Sequence, residues 1–151
     1  MCSGDAEVIF SIGAGVDTLH INALSHFHGE LFYSCFGDYG ENKQDAKDGG
    51  VRSLTGAIEI DKIQHPHSLQ NNNGDIYFLE SKTSTLYKNF EPQFALDGYL
   101  RGLAIQGDEY LIGRSKSRNS EMGGPAALIR TDREGGILDF VEFEDFDEIY
   151  D

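Results

Sequence analysis

The chain has 151 residues, 39 % of them apolar and 11 % aromatic, enough for one domain with a hydrophobic core. Its 26 acidic against 12 basic residues leave a net charge of −14. That excludes a protein that binds nucleic acid by neutralising phosphate or lies on an anionic membrane surface, and it favours a neutral or cationic partner, with local basic groups left to act at a small site.

The first seven residues, Met1 to Glu7, have no basic start and no long apolar stretch, so no secretory signal is predicted. No run approaches the about 18 apolar residues of a spanning helix, and a cytoplasmic protein is expected. Residues 7–12 alternate as a strand closed by Gly13-Ala14-Gly15. Residues 20–27 and 31–36 form a hairpin around His28-Gly29. Cys35 lies in the apolar half of that hairpin and reads as a buried thiol; with Cys2 it makes no disulfide framework. Residues 37–54 are polar and rich in glycine and asparagine, which predicts a long, mobile surface loop. Its Asp38, Glu41, Asp45 and Asp48 do not follow the spacing of a calcium-binding helix–loop–helix. Residues 56–61 alternate as a third strand.

The second unit is more regular. A strand over 67–71 meets Asn72-Asn73-Gly74, a strong hairpin turn because Asn and Gly tolerate positive φ. Strands over 76–80, 84–88 and 93–96 follow. In the third unit, strands 100–105 and 109–114 precede a polar insertion at 116–124, then strands 125–131 and 137–143 joined by Asp132-Arg133-Glu134-Gly135-Gly136. The acidic end, 144–151, reads as a solvated tail.

The three units align on Leu24, Leu69 and Leu103, 45 and 34 residues apart. In each, a leucine ends a short strand segment, a turn follows, and an apolar second strand comes next. Strand-rich repeats at this period predict a β-propeller or similar array. The fold class is therefore all-β, a partial β-propeller of about three four-stranded antiparallel blades, roughly 7–61, 62–97 and 98–143. Closed propellers have about four to eight blades. Three leave apolar blade faces open, so a homodimer closing a six-bladed ring, or membership of a longer propeller, is expected.

With the repeats set on their leucines, the fourth residue before is His20, His65 and Tyr99, and the second before is Asn22, His67 and Arg101. Equivalent ends of innermost strands ring one mouth of a propeller channel, so these six groups are predicted to gather there. A concave site with a few convergent polar groups is a binding site. The same residues read equally as turn caps or bonds to a neighbouring blade, and His65-Pro66-His67 as a rigid corner. His20 and His65, with His67 as a third ligand, can bind a metal through neutral imidazole. His26 and His28 flank a turn at the other end of the strand and read as solvated. The basic cluster around Arg114, Lys116 and Arg118 places Arg118 as a candidate anion contact. No nucleophile elbow, phosphate loop or paired-cysteine metal motif occurs, and no cofactor is indicated.

The runs His65-Pro66-His67-Ser68-Leu69, Gly74-Asp75-Ile76-Tyr77-Phe78-Leu79-Glu80-Ser81, Gly98-Tyr99-Leu100-Arg101-Gly102-Leu103-Ala104 and Gly113-Arg114-Ser115-Lys116-Ser117-Arg118 resemble a bacterial family of conserved proteins of unknown function. His20-Ile21-Asn22 with Ser34-Cys35-Phe36 matches an earlier part of that pattern, and the similarity spans about residues 18–131. The resemblance implies a six-bladed propeller distantly akin to the gluconolactonase and NHL-repeat groups, of which this chain is about half the length. It implies no established activity. The calcium-dependent lactonases among those relatives use acidic and amide ligands where this chain has mostly His, Arg and Tyr, so their chemistry does not carry over.

Two function classes follow. The first is a ligand-binding or protein-interaction module using the channel mouth, with a small molecule or a protein as partner. The alternative is a hydrolase or lyase on a sugar-like or acidic metabolite, with His65 or His67 as general base and Arg101 as anion clamp.

Overall fold

The computed structural model describes residues 19–37, 46, 48–116 and 124–150. Among them the chain is all-β without a helix, in three sheets of four antiparallel strands. The first sheet is β1 (Ile21–Phe27), β2 (Glu30–Cys35), β3 (Gly49–Ser53) and β4 (Ile58–Ile63). The second is β5 (Pro66–Asn72), β6 (Asp75–Glu80), β7 (Thr85–Lys88) and β8 (Glu91–Ala95). The third is β9 (Tyr99–Gln106), β10 (Glu109–Ser115), β11 (Ala126–Thr131) and β12 (Ile137–Phe143). Each sheet runs in chain order, and the first strands lie side by side, β1 against β5 and β5 against β9. That is the architecture of consecutive propeller blades.

Local chemistry makes the meanders. At Asn73 and Gly74, φ is 54° and 88°; at His28 and Gly29 it is 50° and 83°. Two consecutive positive φ angles make the tight turn whose twist matches antiparallel strands. Between blades, side chains replace the strand ladder. Asn71 Nδ2 donates to the His26 carbonyl at 2.9 Å, and Gln70 Nε2 donates to the Leu103 carbonyl at 2.8 Å.

The middle blade supplies both cores. In β6, Ile76 and Phe78 face the first blade with Phe32, Val51, Ile63 and Leu69. Tyr77 and Leu79 face the third with Leu86, Leu100, Leu103, Tyr110 and Ile112. An unbroken apolar run is what a strand covered on both faces requires. Leu69 and Leu103 point toward the preceding blade and are 4 % and 8 % exposed, whereas Leu24, with no blade before it among the described residues, is 61 % exposed.

Two expectations are corrected. Residues 37–54 are not a loop throughout. Gly49–Ser53 is an inner strand of the first sheet, paired with β2 and β4, with Val51 and Ser53 buried, and Ala46 is buried as well. Gly50 is a glycine because β4 runs so close that a Cβ there would overlap the Ile60 carbonyl. The strand expected over 56–61 is therefore the fourth of its sheet, β4, and begins at Ile58. The acidic tail is not simply solvated. Lys116 N donates to the Asp147 carbonyl at 2.7 Å, and Ile149 N to Ser115 Oγ at 3.0 Å. The predicted strand 7–12, most of the 38–48 stretch and Arg118 lie outside the described residues. No helix among the described residues is long and apolar enough to cross a membrane.

Candidate functional site at the strand ends

The starts of β1, β5 and β9 and the ends of β2, β6 and β10 share one rim. Phe36 N donates to the His20 carbonyl at 3.2 Å and Ser81 N to the His65 carbonyl at 3.1 Å; Ser115 pairs with Tyr99 in the ladder. Phe36, Ser81 and Ser115 are thus the partners of His20, His65 and Tyr99. Phe36 and Ser81 were missed as site residues because the alignment weighed only the first strand of each unit.

The rim is built with irregular backbone. His20 and His65 have φ of 46° and 57°, left-handed values that cost a non-glycine residue about 1–3 kcal/mol each. Each first strand changes register just beyond: between Ile21 and Ala23, between His67 and Gln70, and in β9 opposite the step from Ile112 to Arg114. Ser68 and Gly102 sit at these bulges with φ of 56° and 77°, and Gly102 N donates to Ser68 Oγ at 2.9 Å. Bulges re-aim side chains at sheet ends and next to sites. Here they turn the residues before each leucine toward the rim.

Side chains of the first two blades meet around Phe36, and Tyr99 of the third joins them through His65 and His67. The His65 ring stacks on it at 4.2 Å and 8°, the His20 ring meets it edge-on at 4.6 Å, and His67 lies 5.4 Å away. Tyr99 OH and His65 Nδ1 share a hydrogen bond of 2.9 Å. Asn22 Nδ2 donates to the Pro66 carbonyl at 2.5 Å. His20, Asn22 and Tyr99 are half-buried; His65 and His67 are buried.

His67 is fixed in one protonation state. Ser81 Oγ spends its proton on the Leu100 carbonyl at 2.6 Å, so His67 Nδ1 carries the hydrogen shared between Ser81 Oγ (2.7 Å) and the His65 carbonyl (3.0 Å). Burial, followed by the nearby Arg101 charge, lowers its pKa to about 3, against a smaller upward pull from the His65 carbonyl. It is a neutral imidazole throughout the physiological range and a weak base.

Arg101 sits at the edge of this group, its side chain 18 % exposed, 3.7 Å from Glu148 and with the Tyr150 ring 4.0 Å from its guanidinium carbon. The tail therefore covers the one predicted anion contact on the described rim. No three His, Cys, Asp or Glu side chains among the described residues are placed to share a metal ion. The imidazoles of His65 and His67 are instead committed to Tyr99 and Ser81. His26 and His28 stand at the far end of the first hairpin and join no part of the rim. Glu80, also at this end, is buried; its oxygens accept from Gln64 N at 2.7 Å, Thr83 Oγ1 at 2.7 Å and Tyr87 OH at 3.1 Å. Burial and the Glu80 charge push the Tyr87 phenol up to about 12.

At the opposite end, a cavity of about 530 Å³ opens between the second and third blades, with Asn72, Tyr77, Lys88, Tyr110 and Arg133 in its wall. Both cations there are paired, Lys88 with Asp75 at 2.8 Å and Arg133 with Asp108.

No protein-family model matches the chain, and no curated protein matches it.

Proposed function

We propose that this protein is a ligand-binding module of the β-propeller type, related to the six-bladed family its motifs resemble. It takes a small polar molecule or a protein segment at the mouth formed by His20, Asn22, His65, His67, Tyr99 and Arg101. The supporting observation is the linked cluster in which imidazoles of two blades meet at Phe36, the Tyr99 phenol of the third bonds His65 and the Asn22 amide bonds the Pro66 carbonyl, on backbone held in left-handed and bulged conformations. Such strain at a strand end, with convergent polar groups, is typical of binding sites. Within the group the roles divide. His65 and His67 form the buried floor, His20 and Tyr99 stand half-buried over it to meet a ligand, and Arg101 reaches one when Glu148 and Tyr150 of the tail move aside. The hydrolase or lyase alternative is less favoured, because His67 is too weak a base and His65 is fully buried.

The test uses citrate and inorganic phosphate as anionic probes in thermal unfolding. At least one should raise the midpoint by several degrees through mass action. The shift should fall sharply in Arg101→Gln and Tyr99→Phe, whose own midpoints stay near that of the unaltered protein. No shift with any anion, or a shift that survives both substitutions, rules out the mouth as the site.

Ring closure belongs to the same reading. Leu24 and Ile21 on the open face of the first blade, and Leu111 and Val141 on that of the third, are exposed apolar groups whose counterparts between blades are buried. A second copy would cover both faces at once by two-fold symmetry. Sedimentation at micromolar concentration should show a dimer of the isolated chain; a monomer at every concentration argues against closure by a second copy.

A further inference from the structure

Between the second and third blades, Leu100 packs with Leu79 in the core, and its carbonyl accepts from Ser81 Oγ at 2.6 Å. One repeat later, Gly113 and Ser115 occupy the places of Leu79 and Ser81. They meet the tail in the same way. A Cβ on Gly113 would stand 2.7 Å from Ile149 Cγ2, and Ser115 Oγ bonds both the carbonyl (3.2 Å) and the amide (3.0 Å) of Ile149. Ile149 therefore sits where the first strand of a following blade would put its counterpart of Leu100. Glu148 and Tyr150 then hold the stations of Tyr99 and Arg101. The stand-in is imperfect: Leu111, further along this face, stays 42 % exposed, and Arg101 Nε is buried with no hydrogen-bond partner among the described residues.

In the first blade the counterpart of Leu100 is Ile21, and that of Leu103 is Leu24. Both are exposed on a face with no blade before it among the described residues. Resting on the ring-closing reading, we infer that residues 147–150 occupy, within one chain, the seat that the Ile21–Leu24 segment of a second copy takes when two copies close, so that tail and second copy exclude each other. The matched shapes are an aliphatic group over Gly113, a backbone bond to Ser115 and a leucine laid on Leu111. The tail thus sets how readily the ring closes.

The experiment is equilibrium sedimentation of three full-length proteins. They are the unaltered chain, the tail variant Ile149→Ala with Tyr150→Ala, and that variant carrying Leu24→Asp as well. All changed side chains lie on the tail or an open face, and retained amide protection in β6 and β10 verifies the fold. The tail variant should dimerise about a hundredfold more tightly, about tenfold for each of the two seats, when an occupant that fills a seat roughly nine-tenths of the time is removed from both copies. Leu24→Asp should abolish that dimer. Equal or weaker dimerisation by the tail variant overturns the inference and leaves the closure reading standing, whereas a dimer indifferent to Leu24→Asp overturns both. No dimer from any of the three overturns the closure reading and the inference with it, while slow exchange of the Lys116 and Ile149 amides in the unaltered chain would still report the tail in its seat.

Discussion

Acidification from pH 7 to pH 5 should remove about 2 kcal/mol of stability through His67 alone. The sign follows from the lowered pKa. In the unfolded chain the imidazole binds a proton near pH 6.5, whereas in the fold it stays neutral down to about pH 3. Between those values the unfolded state carries the extra proton, so stability falls as pH falls through the window and levels off below about pH 3. The causes are burial and the Arg101 charge, in that order. Urea midpoints of the protein and of His67→Gln at pH 7, 6 and 5 isolate the effect. Gln offers an amide donor to Ser81 and does not titrate. The chain's 26 carboxylates titrate in both proteins and cancel in the difference. Parallel profiles would mean that the folded imidazole protonates as easily as the unfolded one.

Removal of residues 49–53 should abolish cooperative folding. That segment pairs with both β2 and β4, so its loss leaves β4 unattached and opens the core of the first blade. A graded version is Val51→Ala. Val51 is fully buried between Phe32 and the second blade's Ile76 and Phe78, and its truncation should cost about 2 kcal/mol. Chemical denaturation checks both, and a deletion variant that melts within a few degrees of the intact protein would show that the segment behaves as a surface loop after all.

The failure to see β3 in the sequence has a definite cause. A central strand normally declares itself through alternating or continuous apolar side chains. Here Gly49 and Gly50 carry none, because the neighbouring carbonyls of Ile63 and Ile60 fill that space. Val51 is left as the strand's one large apolar group. The second blade was legible because its turn is Asn-Gly and β6 is apolar throughout. The leucine alignment placed the equivalent residues at one end of the strands because each unit repeats the same four-strand meander in the same order. It did not separate buried floor from accessible surface, since His65 and His20 look alike in sequence and differ only in what Phe36 and the next blade lay over them. The tail was misread for a related reason. Five acidic residues among eight suggest solvation, and the two bonds to Ser115 that hold it involve only backbone atoms of Ile149.

The sandwiching of the middle sheet also fixes an order of assembly. Each blade is a meander of sequence-near strands, so its ladders form by short loop closures and need no distant segment. During synthesis the first two blades can meet as soon as Leu86 and Tyr87 have emerged. The nascent chain then carries Tyr77, Leu79 and Leu86 uncovered until β9 and β10 arrive. A chain stalled before residue 99 is therefore the species most exposed to aggregation on the way to the fold. Delay in that interval, set by translation speed over residues 89–112, lengthens the time for which that apolar face stands uncovered.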